Sequence, residues 1–278
     1  MTPRELARWV LPPGVKELVK RALSVNRQPL FPANAVLVNR HAGDKRCVVI
    51  GNGPSLKDMD LRPLAGMVTI GANAFYRHPH AVEVGLRYQC INDVRFLVDE
   101  PRAIAWHAEV AAGSPRAVVI LPWSTREFVQ RRGLYQGHAI HFMAGGDPVH
   151  DAASINLDPT RPVNIGMTTG TTLCIPLALA MGFKDICLVG FDANWLADIH
   201  ASYHFYANNQ HFPEFDSVAK ERPNQYETEL VSVLREFESH RLLNERALQM
   251  GARIHNATRG GLLDMYPRAV FEEWLRRG

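Results

Sequence analysis

Four polar side chains come directly after apolar runs in the first third of the chain. They are Asn52, Asn73, Asn92 and Asp93. If those runs are neighbouring parallel strands, their carboxyl ends meet at one edge of a sheet, where open α/β folds bind ligands. Amide side chains both donate and accept hydrogen bonds, which suits a nucleobase, a ribose or a sugar. A single Asn here is typical of a plain turn, but the recurrence favours a shared binding crevice.

The first of these runs ends in the block Gly51-Asn52-Gly53-Pro54-Ser55-Leu56. Its glycines would let the backbone approach a ligand closely, and the N-terminus of a following helix favours an anion. The block lacks the Lys of a P-loop and is too short for the dinucleotide fingerprint. We therefore expect Asn52, Gly53 and Ser55 to hold a nucleotide, with a simple turn as the alternative.

A second polar block, Thr168-Thr169-Gly170, opens an apolar helix that Gly182 ends. The buried strand that follows ends in Gly190-Phe191-Asp192. Hydroxyls and free N–H groups at a helix N-terminus can bind an anion or a sugar carboxylate. We expect this block and Asp192 to face the same crevice as the asparagines.

Two patterns could hold a metal, and neither is favoured. Asp58-Met59-Asp60 is formally an Asp-x-Asp motif, but it falls in the first turn of a predicted helix, where acids stabilise the helix dipole. His200, His204 and His211 could ligate zinc, but they lie in an Asn-rich stretch with no predicted helix. We expect neither a metal nor another cofactor.

Apolar strands alternate with helices along most of the chain, which predicts an α/β fold with a mostly parallel sheet flanked by helices. The predicted strands are 47–50, 67–72, 88–91, 117–121, a run ending at 190, and 252–256. The predicted helices are 56–64, 94–116, 168–182 and 225–250. The periodicity weakens at 124–162 and 194–223, which we interpret as lid-like inserts in a domain over 47–278.

Composition limits the remaining possibilities. The chain is 46% hydrophobic and 21% charged, with no apolar run of membrane-spanning length, and its start lacks a signal-peptide pattern, so an intracellular, cytoplasmic protein is expected. Four widely spaced cysteines suggest buried thiols. The net charge of +3 does not suggest nucleic-acid binding. Residues 1–46 carry nine Lys or Arg against three acids, so this helical extension could lie on an anionic membrane surface, with packing on the domain as the alternative.

Taken in order, these blocks resemble the sialyltransferases of glycosyltransferase family 42 and the related motility-accessory-factor and hydroxymethylpterin-pyrophosphokinase-like group. The matching blocks are 51–56, Asn73-Ala74-Phe75-Tyr76, 168–192 and the His- and Tyr-rich region after it. The resemblance implies a single Rossmann-like (GT-A-like) domain and an inverting, metal-independent transferase. The implied donor is a CMP-activated sialic acid or similar ulosonic acid. The implied acceptor is a bacterial surface glycan, as in lipopolysaccharide or capsule biosynthesis, and a homo-oligomer is compatible with it.

The resemblance also implies roles for individual residues. Asn52 and Asn73 fall on positions that contact the nucleotide, Asn92 or Asp93 on the next polar position, and Thr169 and Gly170 on the pair that approaches the donor. The general base is expected to be His204, with His200 and His211 as competitors. The positions at which the family has an arginine and a tyrosine are Gly166 and Asn194 here. Tyr203 or Tyr206 could replace that tyrosine at the leaving phosphate.

Two further functions remain open from the sequence. One is Mg²⁺-dependent transfer of a diphosphate from ATP, which needs acids or cations around the phosphates, whereas the strand ends supply mostly amides. The other is a non-catalytic nucleotide- or glycan-binding module.

Overall fold

Seven parallel strands form one sheet in the computed structural model, which describes residues 31–93, 97–98, 100–195, 197, 204–206 and 225–277. In chain order the strands are β1 (Arg46–Ile50), β2 (Thr69–Ala72), β3 (Tyr88–Cys90), β4 (Val118–Pro122), β5 (Ile140–Met143), β6 (Asp185–Val189) and β7 (Arg253–Asn256). Their order across the sheet is β5-β4-β3-β2-β1-β6-β7, and every neighbouring pair is parallel. The predicted parallel α/β fold is confirmed.

Helices pack on both faces of this sheet. Within the described residues the α-helices are α1 (Ala81–Val84), α2 (Pro101–Gly113), α3 (Arg126–Arg131), α4 (Ile175–Ala180), α5 (Gln225–Gln249) and α6 (Phe271–Arg276). A π-helical segment, Gly170–Cys174, runs directly into α4. Short 3-10 helices cover Pro32–Leu37, Pro54–Asp58, Arg62–Leu64, Phe75–Arg77, Trp123–Thr125 and Ala152–Ser154.

The central strand β1 is buried on both faces, as its continuous apolar run predicts. Cys47 and Val49 join one core with residues of α4 and α5, whereas Val48 and Ile50 join a second core with residues of α6. Because side chains alternate along a strand, one five-residue run anchors two layers of helices. All four cysteines are buried free thiols, as predicted.

The order of strands places a switch point between β1 and β6. Strands β1 to β5 follow one another toward one edge, and β6 then pairs with β1 on its other side. Connections therefore leave β1 and β6 in opposite directions, which opens a crevice at their carboxyl ends. Gly51 and Gly190 follow directly at that crevice.

The segment predicted as a helix over 56–64 is two 3-10 helices instead. Asp60 lies between them and accepts hydrogen bonds from Arg62. Pro63 lacks the N–H that a continuous helix would use, and burial of Leu61 draws the chain onto the sheet. The Asp-x-Asp pattern is therefore not in a helical first turn.

The segment over 124–162 contains more regular structure than its sequence indicated. It supplies α3 and the edge strand β5, which pairs with β4. Strand β5 has no fully buried run, since three of its four residues are only partly buried. A half-exposed edge strand of this kind carries a weak apolar signal.

Residues 31–45 belong to the same compact unit as the sheet, which covers Phe31–Gly278. Phe31 and Leu37 are buried, and the Asn34 side chain donates to the carbonyls of Phe142 and Pro159 at 2.9 and 2.8 Å. No helix in the described part of the chain is long and apolar enough to cross a membrane. The predicted extension over 1–46 and its membrane contact stay predictions, because residues 1–30 lie outside the described residues.

Candidate active site

A cavity of about 500 Å³ lies at the switch point of the sheet. Its walls are the turns after β1, β2 and β6, the start of the π-helical segment, and one face of α5. Sequence-predicted residues that line it are Asn52, Gly53, Asn73, Thr168, Thr169, Gly170, Asp192, Asn194 and His204. The expected convergence of the strand-end blocks thus takes place, and the volume is in the range of small-molecule sites.

Glycines at this site allow the two turns to approach each other closely. A Cβ on Gly51 would lie 2.3 Å from the Gly190 carbonyl oxygen, and one on Gly53 would lie 1.8 Å from Asp192 Oδ2. Gly190 also has a positive φ of 71°, which glycine adopts without strain. The turns after β1 and β6 are therefore in direct contact.

A buried carboxylate joins the same two turns. Asp192 accepts hydrogen bonds from the Ser55 backbone N–H at 3.0 Å and from the Ser55 hydroxyl at 2.8 Å. Burial raises the pKa of Asp192, while the hydrogen bonds from Ser55 oppose that rise. Ser55 is thus engaged by Asp192 and does not line the cavity, so its expected contact with a nucleotide has no support in the geometry.

Asn52 presents a hydrogen-bond acceptor that no described residue satisfies. Its Nδ2 donates to the Ala72 carbonyl at 2.8 Å, which fixes the orientation of the amide. Its Oδ1 is buried and accepts no hydrogen bond from the described residues. Leaving a buried acceptor unpaired costs about 1–3 kcal/mol, so a ligand N–H or O–H placed here would gain that interaction.

Asn73 joins the ends of β2 and β3 to the turn before the π-helical segment. Its Oδ1 accepts from the Thr169 hydroxyl at 3.0 Å and from the Asn92 backbone N–H at 3.3 Å. The residue has a positive φ of 42°, a conformation that Asn tolerates better than most residues. Asn92 and Asp93 do not line the cavity; Asn92 instead supports Asn73 through its main chain.

Gly166 stands where the resembled family has an arginine, and its surroundings admit no side chain. A Cβ there would lie 2.4 Å from the Thr171 carbonyl carbon, and φ is +93°. The backbone of the π-helical segment occupies the space that an arginine would need.

Residues 204–206 rest on the ends of β1 and β2. Phe205 donates its N–H to the Asn52 carbonyl at 3.0 Å, and its ring meets the His78 ring edge-on at 5.4 Å. The Tyr206 ring lies 4.9 Å from the His204 ring and beneath the Arg77 guanidinium at 5.5 Å. His204 is thereby placed at the cavity. Tyr203, His200 and His211 lie outside the described residues.

The wall of the cavity that α5 forms was not predicted from the sequence. Its lining residues are Glu229, Ser232, Val233, Glu236 and His240. These positions recur every three or four residues, the spacing of one helical face, so a polar stripe on the helix was the signal available in the sequence. Apolar residues at other positions of this helix, such as Leu230 and Leu234, are exposed.

Acidic groups dominate the charge of the described lining. Asp192, Glu229 and Glu236 line the cavity, and no Lys or Arg does so among the described residues. Asp58 and Asp60 do not line it. In the described residues no three His, Cys, Asp or Glu side chains gather as a metal-binding set.

No protein family and no curated protein matches the chain in sequence. Among solved structures, the sialyltransferase CST-II in complex with a trisaccharide acceptor and CMP is similar at 15% identity over 81% of this chain and 86% of that chain, with a TM-score of 0.47. CstII from Campylobacter jejuni with cytidine-5'-monophosphate is similar at 15% identity over 81% and 85%, with a TM-score of 0.42. The resemblance expected from the motifs thus recurs among solved structures. At these scores it does not establish the family, and the function rests on the residues of the cavity.

Gly53→Ala should destabilise the protein by about 1–3 kcal/mol, the usual cost of overpacking, because the added methyl group meets the Asp192 carboxylate. The φ of Gly53 is −62°, so alanine brings no backbone strain of its own. Gly43→Ala is the matched control, since a Cβ there has no atom within 4 Å. Chemical denaturation of both variants measures the difference. Equal free energies of unfolding would contradict the close contact between the turns.

Lowering the pH below 6.5 should destabilise the protein through His78. Burial lowers the pKa of His78 from its ordinary 6.5, so below that pH the unfolded chain binds more protons than the folded chain, and stability falls as pH falls. His78→Gln should flatten the fall between pH 6.5 and 5 in urea unfolding. His150→Gln, at an exposed histidine, should leave it unchanged. The same slope in wild type and His78→Gln would be the contrary result.

Proposed function

We propose that this chain is a metal-independent, inverting glycosyltransferase that uses a nucleotide-activated sugar. The finer proposal is a CMP-activated sialic acid or similar ulosonic acid as donor and a bacterial surface glycan as acceptor. The observation that carries the proposal is the buried Oδ1 of Asn52, to which no described residue donates, in a cavity that also holds Asn73, Thr169 and His204. An amide acceptor of this kind fits an exocyclic amine or a hydroxyl better than a phosphate.

The chemistry needs a base and a group that receives charge on the leaving phosphate. The acceptor oxygen attacks the anomeric carbon from the face opposite the nucleotide, and a new C–O bond forms as the bond to the phosphate oxygen breaks. The acceptor proton passes to the His204 ring, and the nucleotide leaves with the bonding electron pair. The main-chain N–H groups of Thr169 and Gly170 are the candidates to stabilise that charge, because the Thr168, Thr169 and Thr171 hydroxyls already donate to Glu236 or Asn73.

The charge of the cavity lining affects which sugar donors the cavity can attract. The described lining contains three acids and no Lys or Arg, so within it only hydrogen-bond donors can attract a sugar donor that carries both a phosphate and a carboxylate. Neutral sugars therefore belong in any donor panel beside ulosonic acids. A cytoplasmic location, with peripheral membrane contact through the basic N-terminal extension 1–46, remains part of the proposal.

CMP should stabilise the protein selectively and without Mg²⁺, in a thermal-shift panel with UDP, GDP and ATP. Asn52→Ala should weaken the binding of CMP about tenfold or more, because it removes an acceptor that contributes about 1–3 kcal/mol to binding. Asn244→Ala is the matched control: it also loses one side-chain hydrogen bond to a carbonyl, at 2.8 Å to Met265, but away from the cavity. Stabilisation by ATP only with Mg²⁺ would favour diphosphate transfer instead.

His204→Ala should lower turnover by about 10²–10⁴, the usual contribution of a general base, and leave CMP affinity near that of wild type. Initial rates with a donor panel and equilibrium CMP binding measure the two effects separately. Unchanged turnover would exclude His204 as the base and leave His200 and His211. A wild-type protein that binds CMP but turns over no donor would favour a binding module.

A further inference from the structure

A buried carboxylate on α5 forms part of the cavity wall and binds the turn at the start of the π-helical segment. Glu236 is 2% exposed. Its Oε1 accepts from the Thr168 hydroxyl at 2.6 Å, and its Oε2 accepts from the Thr171 hydroxyl at 2.8 Å and the Thr168 backbone N–H at 3.3 Å. One side chain thus engages three donors of a single turn.

Two further buried side chains support this carboxylate. His240 Nε2 lies 3.3 Å from Glu236 Oε1, and His240 Nδ1 lies 2.9 Å from the Tyr266 hydroxyl. A neutral imidazole satisfies both contacts if Tyr266 donates to Nδ1 and Nε2–H donates to Glu236. Burial alone would raise the pKa of Glu236, but the hydrogen bonds from His240, Thr168 and Thr171 outweigh it and lower that pKa. The carboxylate is therefore held ionised.

The opposite side of the turn is held as well. The Thr169 hydroxyl donates to Asn73 Oδ1 at 3.0 Å. A Cβ on Gly170 would lie 2.6 Å from a ring carbon of Phe191, so this residue is pressed against the turn after β6. The segment 168–170 is fixed between α5 and the sheet, and π-helical segments of this kind occur often at functional sites.

Glu236 and His240 are poorly suited to act as an acid or a base in the reaction, because their polar atoms are already engaged in hydrogen bonds. Both oxygens of Glu236 accept hydrogen bonds from the turn, and both ring nitrogens of His240 have partners. A lowered pKa also makes Glu236 a weak base. What the carboxylate does is determine where the hydroxyl and main-chain groups of the turn point.

We propose that Glu236 is a positioning residue that orients Thr168-Thr169-Gly170 for binding of the donor. The proposal rests on the proposed function, because the donor is the nucleotide sugar assigned to the same cavity. Glu236 acts through Thr168 and Thr171 and does not touch the reacting atoms. Its removal should raise the donor KM with little change in the acceptor KM.

Glu236→Gln should weaken CMP binding and raise the donor KM about 10- to 100-fold, since hydrogen bonds to a charged group contribute about 1.5–3 kcal/mol. Glutamine keeps the size of the side chain but cannot accept from all three donors. Glu245→Gln is the matched control, on the same helix with an exposed Arg241 partner, and should behave as wild type. Titration calorimetry with CMP and initial rates at varied donor and acceptor provide the values.

A double-mutant comparison of Glu236 with Thr168 distinguishes a positioning role of Glu236 from a general loss of structure. Thr168→Val should weaken CMP binding as Glu236→Gln does, whereas Thr168→Ser should bind CMP like wild type. The double variant Glu236→Gln/Thr168→Val should bind CMP no more weakly than either single variant. Independent, additive losses would overturn the proposal, as would wild-type CMP affinity in Glu236→Gln. If Glu236→Gln does not fold, the Thr168 pair alone decides between these outcomes.

Failure of the proposed function would be visible separately. If wild type binds none of the four nucleotides, the donor assignment fails. The rate of amide hydrogen exchange over 168–171 then measures whether Glu236 holds the turn in place. Faster exchange there in Glu236→Gln than in Glu245→Gln supports positioning by Glu236. Equal protection overturns it.

Discussion

The carboxylate of Asp192 joins the two turns on which the cavity depends. It binds Ser55 through two hydrogen bonds, and the glycines beside it leave no space for a side chain between the turns after β1 and β6. Burial of Asp192 opposes its ionisation, so the hydrogen bonds of Ser55 must compensate for lost hydration. Because the turns meet in this way, Asn52 reaches the cavity while Ser55 does not.

Asn73 is the second point of connection. The ends of β2 and β3 and the π-helical turn meet at its side chain and main chain, since its N–H also donates to the Cys90 carbonyl at 2.8 Å. An amide that is already engaged by Thr169 and Asn92 cannot turn freely toward a ligand. The strand-end asparagines therefore differ in their contacts: no described residue donates to Asn52 Oδ1, whereas Asn73 connects the strand ends and Asn92 supports Asn73.

Local patterns in the sequence were sufficient for most of the fold. Buried strands such as β1 and β6 carry continuous apolar runs, and a parallel sheet brings their ends together whatever the intervening segments do. The α5 wall could not be assigned, because a polar stripe on a helix has the same pattern whether it faces water or a cavity. The partner of Ser55 could not be assigned from the sequence either, because Ser55 and Asp192 are 137 residues apart in the chain. Long-range hydrogen bonds of this kind leave no local periodicity.

Gly166 and Glu236 together change how the cavity can attract an anion. The close approach of the Thr171 backbone excludes an arginine at position 166, and a protein carboxylate already accepts the first N–H of the turn at Thr168. That carboxylate offsets part of the positive potential at the start of a helix. Long-range electrostatic attraction toward the described walls is therefore weak for a phosphate or a carboxylate. Within the described lining, binding of an anionic ligand would depend on neutral hydrogen-bond donors. The lining also holds the Asn52 Oδ1, an acceptor that no described residue satisfies and whose orientation the Ala72 carbonyl fixes.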